Sequence, residues 1–296
     1  MEKIVKIGDE RYPKLLKEIG SQAPKKLYYK GNWDEFFPAT GRDPAAAGEN
    51  CLAVVGSRHL TSYGRKITEQ FVTEIASSGI TVVSGFMYGG DEAAHKATVR
   101  AGGKTIAVMP CGIDIIHPQY QEELYNEILE KNGLIISELE GKFSPVYWTY
   151  VKRNRIVAGL SKAILIVEAG LNSGSLLTAG YAKRYGRKIF AVPGQITSEV
   201  SQGTAKLIKE GAEIATDAKD ILKYYNISLT KPNLVSPSFN FGKEEQKIIE
   251  QLKREPMEAD MLARTLGVPA AKIGATLSLM QLKGLIQQEE NRYYID

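Results

Sequence analysis

The chain has 296 residues, 43% hydrophobic and 8% aromatic, which is enough apolar material for a sizeable core and length for two domains at ~100 to 200 residues each. With 24% charged residues, 28 glycines, 12 prolines and no single-residue tract, the composition excludes a disordered, collagen-like or low-complexity protein. The net charge of +4 is uneven: residues 141–198 hold nine cations (Lys142, Lys152, Arg153, Arg155, Lys162, Lys183, Arg184, Arg187, Lys188) against one acid, Glu168, a footprint that suits a polyanion.

The first 50 residues, with Tyr12-Pro13 and the stretch ATGRDPAAAGE, read as an extended lead-in and a surface loop. From Cys51 onward short apolar runs alternate with helical patterns. CLAVVG, ITVVSG and KTIAVMP are strands separated by helices over 64–78 and 91–101. GLIISEL, KAILIVEA and KIFAVPG are further strands, with helices near 153–161, 175–186 and 204–210. Strands so continuously apolar are buried on both faces, the mark of a parallel sheet covered by helices, so the expectation is a doubly wound α/β domain. Residues 227–242 hold two prolines and three serines without periodicity and read as a linker. Beyond it, helical patterns over 244–254, 257–267 and 269–284 followed by LIQQEENRYYID predict a winged helix-turn-helix.

No apolar run approaches the ~20 residues of a membrane helix, and residues 1–8 carry charges where a signal peptide would be apolar, so a cytoplasmic protein without membrane contact is expected. Cys51 and Cys111 lack partners at metal-ligand spacing and read as small core residues, with no disulfide and no metal site.

In a doubly wound sheet ligands lie at the carboxyl ends of the strands, where helix N-termini point their N–H groups outward. The glycine clusters fall there: Gly56-Ser57-Arg58, Ser84-Gly85 with Tyr88-Gly89-Gly90-Asp91, Pro110-Cys111-Gly112, Gly170 with Ser173-Gly174-Ser175, and Pro193-Gly194. Together they point to phosphate binding, although any single cluster reads as turn glycines. Gly56 is followed by SRHLTSYG, so the dinucleotide fingerprint is missing, and neither a G-x-x-x-x-G-K-[ST] loop nor a G-x-S-x-G elbow occurs. Nothing in the chain marks a cofactor site or a catalytic residue. Asp91 and His95 share a helix face, but without a third partner they read as a helix N-cap and a packed imidazole.

Lys152-Arg153-Asn154-Arg155 stands beside Tyr147, Trp148 and Tyr150, and cations next to aromatic rings suit a single strand's phosphates and unstacked bases. The bland alternative puts the rings in the core and the cations on a solvated face. Lys183, Arg184, Arg187 and Lys188 form a second basic group. The C-terminal module, with eight basic and nine acidic residues and only Lys272 near the start of its second recognition-type helix, is poor footing for a duplex and reads as a docking or structural module.

Taken in order, VVGSR with Tyr63-Gly64, VVSGFMYGGDEAAH, TIAVMPCGID with His117-Pro118, KRNRIVAGLS, ILIVEA, SGSLLTA, FAVPG and LIKEGA resemble the successive blocks of the DNA-processing protein A family, over about residues 51–222. The resemblance implies a Rossmann-like domain over 51–225 after an N-terminal extension and loop over 1–50, a linker over 226–242 and a winged helix domain over 243–296. It implies a single-stranded DNA-binding homodimer, not an enzyme, that protects incoming DNA and loads the RecA recombinase during natural transformation. By motif its DNA-binding positions fall on Gly56, Ser57 and Arg58, on Lys152, Arg153, Asn154 and Arg155, on Ser173, Gly174 and Ser175, and on Lys183. The loop FMYGGD departs from the family's usual alanine and G-I-D. The competing reading is a nucleotide-processing phosphoribohydrolase of related fold, but its P-G-G-x-G-T signature is split here, with eight residues between Pro193-Gly194 and Gly203-Thr204. A third is a nucleotide sensor with the winged helix as output.

Overall fold

A computed structural model describes residues 3–39, 50–227, 243–252, 255–282, 285–289 and 291–294. The chain divides into two units, Met1–Pro232 and Asn233–Asp296.

The first unit runs β1 (Ile4–Lys6), α1 (Lys14–Lys17), β2 (Lys26–Gly31), α2 (Trp33–Phe36), β3 (Cys51–Val55), α3 (Ser62–Ser77), β4 (Thr81–Ser84), α4 (Gly90–Arg100), β5 (Thr105–Val108), α5 (Glu122–Glu130) and β6 (Leu134–Ser137). It continues with α6 (Tyr147–Gly159), β7 (Ala163–Ile166), α7 (Gly174–Arg184), β8 (Lys188–Ala191), α8 (Gln202–Lys209), β9 (Glu213–Ile214) and α9 (Ala218–Tyr224). One sheet holds all nine strands in the order β1-β2-β6-β5-β4-β3-β7-β8-β9. From β6 to β9 every pairing is parallel, and the six apolar runs lie where the sequence puts them.

Alternation along the strands sorts side chains onto two layers. Leu52 and Val54 of β3 pack with Phe71, Val72 and Ile75 of α3 and with Ile221 and Leu222 of α9. Ala53 and Val55 point the other way, into a cluster with Ile156 and Val157 of α6 and Ala179 and Ala182 of α7.

The N-terminal segment is not a lead-in. β2 pairs antiparallel with β6, β1 pairs antiparallel with β2, and Leu16, Leu27, Trp33 and Phe36 sit in the same core as α6. These strands escape a periodicity reading because β1 has three residues and β2, KLYYKG, mixes charge with aromatics. Helix α5 also goes beyond the sequence reading; its Leu124, Tyr125 and Ile128 make a narrow buried stripe against the sheet.

The second unit holds α10 (Lys243–Leu252), β10 (Met257–Glu258), α11 (Ala259–Leu266), α12 (Ala270–Leu282), β11 (Gln287–Glu289) and β12 (Arg292–Tyr294), with a small antiparallel sheet in the order β10-β12-β11. Ile248, Leu262, Ile273, Leu277 and Met280 form its core. The three helices and the hairpin match the winged-helix expectation, except that Met257 and Glu258 form a strand where a helix was expected to start. Of the expected linker, residues 228–242 lie outside the described residues, as does most of the ATGRDPAAAGE loop. Among the described residues no helix is long and apolar enough to cross a membrane.

Candidate nucleic-acid interface

β3 sits mid-sheet with β4 on one side and β7 on the other, so the loops after β3 and β7 leave in opposite directions and open a crevice at the carboxyl edge. That crevice has a volume of about 810 Å³. Its walls are the glycine clusters: residues 56–59 after β3, Gly85, Met87 and Tyr88 after β4, and residues 170–175 after β7, together with one face of α6. Pro110-Cys111-Gly112 and Pro193-Gly194 do not line it.

Backbone packing explains the paired glycines of FMYGGD. Gly89 caps α4 at φ +79°, and a Cβ there would lie 2.4 Å from the Ser57 carbonyl oxygen. The Gly90 N–H donates to that same carbonyl at 3.0 Å, so the β3 and β4 loops are pinned together. Across the switch point the Ser57 N–H donates to the Glu168 carbonyl at 2.7 Å. The Glu168 carboxylate, buried, accepts from the Thr61 N–H at 2.9 Å and the Thr61 hydroxyl at 2.5 Å, while Thr61 Oγ1 accepts the Gly64 N–H at the start of α3. The lone acid of the basic stretch is therefore a strut. On the opposite wall Ser173 caps α7, its Oγ accepting from the Ser175 N–H at 3.3 Å, and this helix start, with its positive dipole end, faces the crevice.

Arg58 is exposed on the rim, its guanidinium 5.5 Å from the Tyr88 ring and 5.4 Å from the Tyr150 ring. Among the described residues no carboxylate lies within ion-pair distance of it. The Tyr150 hydroxyl is 2.7 Å from His117 Nε2, and burial, with Arg58 nearby, pulls the His117 imidazole below its ordinary range. Tyr147 lines the crevice at 85% exposure and Trp148 is 49% exposed, so these two rings are not core.

The Lys152 to Arg155 group splits up. Arg153 lies buried beneath the crevice, donating through one terminal nitrogen to the Gly85 and Val108 carbonyls and through Nε to Asn154 Oδ1. Burial lowers its pKa while Asp91 opposes that, and burial likewise raises the Asp91 carboxyl against the pull of Arg153. Asp91 is not the helix N-cap the sequence suggests: it stands inside the first turn and accepts from the Met87 N–H at 3.2 Å. His95 is packed as expected, Nδ1 at 2.8 Å from Thr105 Oγ1, and burial takes its pKa down to about 3. Asn154 reaches the Gly174 carbonyl at 3.4 Å across the crevice. Arg155 and Lys152 turn away from it to Glu138, at 2.6 and 3.3 Å.

Three of the second basic group are likewise held by acids from elsewhere in the chain, while Arg184 lies 5.5 Å from the Tyr181 ring. Lys183 is 3.9 Å from Glu210 beside a separate groove of about 450 Å³, Arg187 pairs with Glu18 at 2.9 Å, and Lys188 pairs with Glu213. Four acids from outside the stretch, Glu18, Glu138, Glu210 and Glu213, thus offset part of the sequence excess of +8, and the crevice keeps Gly56, Ser57, Arg58, Arg153, Asn154, Ser173, Gly174 and Ser175 of the expected set. Sequence reasoning names Tyr88 only within a glycine cluster and His117 only within a motif block, and misses Glu199, the first residue of a short 3-10 helix, 199–201. Among the described residues no group of His, Cys, Asp and Glu gathers as a metal set.

Fold and site together define a doubly wound α/β protein with an open strand-end crevice and a winged helix as its second unit. Residues 3–226 match the model of the family described as DNA recombination-mediator protein A, and residues 236–291 that of the DprA winged helix domain. The chain is 38% identical over 217 residues to DNA processing protein DprA of Streptococcus pneumoniae, covering 73% of this chain and 72% of that one. It is 36% identical to Protein Smf of Escherichia coli over 79% of this chain, and spans 65% of that relative's length. The crystal structure of the Streptococcus pneumoniae protein superposes with a TM-score of 0.66 at 35% identity, covering 75% of this chain and 74% of the other. DNA processing protein A of Helicobacter pylori, a structure that concerns its single-stranded DNA binding mode, superposes with a TM-score of 0.64 at 28% identity over 76% of this chain and 96% of that one. The chain belongs to the DNA-processing protein A family, also called DprA or Smf.

Proposed function

We propose that the crevice binds single-stranded DNA, and that the chain protects incoming DNA and hands it to the RecA recombinase, working as a cytoplasmic homodimer with no chemistry of its own. The observation that carries this reading is Arg58, a cation without a carboxylate partner among the described residues, between the rings of Tyr88 and Tyr150 and at the same rim as the start of α7. Phosphates are held by Arg58, by main-chain donors of the Gly56-Ser57 loop and of Gly174-Ser175, and by Asn154; bases lie against Tyr147 and Tyr150. Arg153 acts from below, fixing the ends of β4 and β5. Lys152, Arg155 and Lys183 lie outside the crevice and contribute charge at a distance. The relative from Helicobacter pylori, with its single-stranded DNA binding mode, supports the choice of ligand.

Anisotropy of a labelled oligonucleotide, single-stranded and then duplex, at two salt concentrations is the test. The expectation is tight binding selective for the single strand that weakens steeply with salt, because each phosphate contact releases counterions, and that Arg58→Glu weakens roughly 30- to 100-fold. Equal affinity for duplex breaks the unstacked-base part of the reading. No binding, together with release of free base from nucleoside monophosphates that Arg58→Ala abolishes, would instead identify a phosphoribohydrolase.

A further inference from the structure

The aromatic residues before and at the start of α6 serve two surfaces. Tyr147 leans into the crevice, but Trp148, one position on and therefore about 100° round the helix, turns out of it. There it meets Phe143, ring centroids 6.1 Å apart in an edge-on arrangement, with both side chains open at 49% and 43% and Val146 at 41%. The Lys152 ammonium stands 5.7 Å from the Trp148 ring, and Lys142 is exposed next to Phe143. The acids close by are already engaged: Glu138 with Arg155 and Lys152, Glu140 with Lys26 and the Tyr28 hydroxyl. At the start of α6 the Thr149 Oγ1 accepts the Val146 N–H at 3.2 Å, and the Thr149 N–H donates back to the Val146 carbonyl at 2.9 Å.

Resting on the reading of the crevice as a single-strand site, we propose that Trp148 and Phe143, with Lys142 and Lys152, form a second stacking step, outside the crevice, that takes the bases of the same strand after they pass Tyr147. A half-exposed tryptophan beside a half-exposed phenylalanine is a costly surface to leave in water, and what it offers a ligand is a π-face with cations at its edge. A nucleobase with its phosphate has that complementary chemistry: the face stacks on the indole and the phosphate meets an ammonium. A ring pair at the lip of an anion-binding crevice, with the neighbouring carboxylate of Glu138 held by Arg155 and Lys152, extends that crevice's path around the helix. A protein partner would find two rings and two lysines without the deep apolar pocket that an anchor side chain needs, since the recess beside Trp148 holds only about 10 Å³.

The chain carries its own reporter. It has two tryptophans, of which Trp33 is 1% exposed inside the core, so with excitation selective for tryptophan a change in emission on adding DNA reports on Trp148. Oligothymidylates of about 4 and about 16 nucleotides, the span of common single-strand site sizes, are titrated into the full chain while emission is followed, with anisotropy of labelled copies in parallel. The long oligonucleotide is expected to quench Trp148, and the short one to bind without doing so. Trp148→Ala should weaken the long oligonucleotide roughly 10-fold, the size of one stacked base, and leave the short one unchanged, while Trp148→Phe restores the affinity. Anisotropy showing the long oligonucleotide bound with unchanged emission overturns the second step and leaves the crevice reading standing. Absence of binding in anisotropy removes both. Emission that shifts with protein concentration alone, and not with DNA, overturns the proposal in favour of contact with a second copy of the chain.

Discussion

Arg58 and Arg153 serve one crevice from opposite sides, and the contrast between rim and floor separates binding from architecture. Arg58 is exposed, braced only by two tyrosine rings, and its charge faces outward. Arg153 is 6% exposed and spends its donors on carbonyls at the ends of β4 and β5, with Asp91 beside it. A cation whose donors are spent holds its loops in place; a cation without a partner waits for a ligand. Losing the first should unmake the site, and losing the second should empty it.

The largest effect follows from Arg153→Leu, which strands two buried carbonyls and leaves Asp91 without its counter-charge. It should cost about 3 kcal/mol or more of stability, read as a fall in the urea midpoint. Arg58→Glu should instead leave the stability read from urea curves within about 0.5 kcal/mol of wild type, as surface changes do. Its cost should appear in anisotropy, as roughly 30- to 100-fold weaker single-strand binding at low salt and a shallower salt slope. If both substitutions lower stability equally, the division between rim and floor is wrong.

The buried imidazole within the influence of Arg153 also titrates. His95 takes up a proton near pH 3 in the folded chain but near ~6.5 when unfolded, because burial opposes the charge. Between those values the unfolded state binds more protons, so stability is complete above pH ~6.5 and falls as the pH drops, by about 2 kcal/mol at pH 5. Denaturant curves at pH 7 and pH 5 check this, and His95→Leu should flatten the difference. The smallest effect is expected at Lys183, paired with Glu210 at 3.9 Å on an exposed surface: Lys183→Ala should shift stability by less than about 0.5 kcal/mol and change short-oligonucleotide affinity little. A large loss there would move the DNA path toward α7 and its groove.

Much of the fold is legible in the sequence where burial is two-sided. The six runs from CLAVV to KIFA are apolar because helices cover both faces, with Thr, Ser and Lys only at strand ends. β2 and β9 are not legible: one mixes lysine and tyrosine, and the other has two exposed residues whose pairing with β8 depends on a neighbour distant in sequence. The position of the site could be read from the glycine clusters, since a doubly wound sheet gathers its loops at one edge. What could not be read is which cations are spent. Arg187 meets Glu18 across 169 residues of chain and Arg155 meets Glu138 across 17, so a local excess of lysine and arginine says little about the surface field until the acids are placed.

The antiparallel seam between β2 and β6 has a consequence for how the chain can be cut. Tyr28, Tyr29, Lys30 and Gly31 register with Ser137, Ile136, Ile135 and Leu134, closing an edge of the parallel sheet that is apolar on both faces. A fragment beginning at Cys51 would keep every glycine cluster of the crevice yet bare that edge and remove Trp33 and Leu27 from the core beneath it. Such a fragment would recruit strands from other copies and precipitate, so the least motif-rich part of the chain decides whether the rest stays in solution.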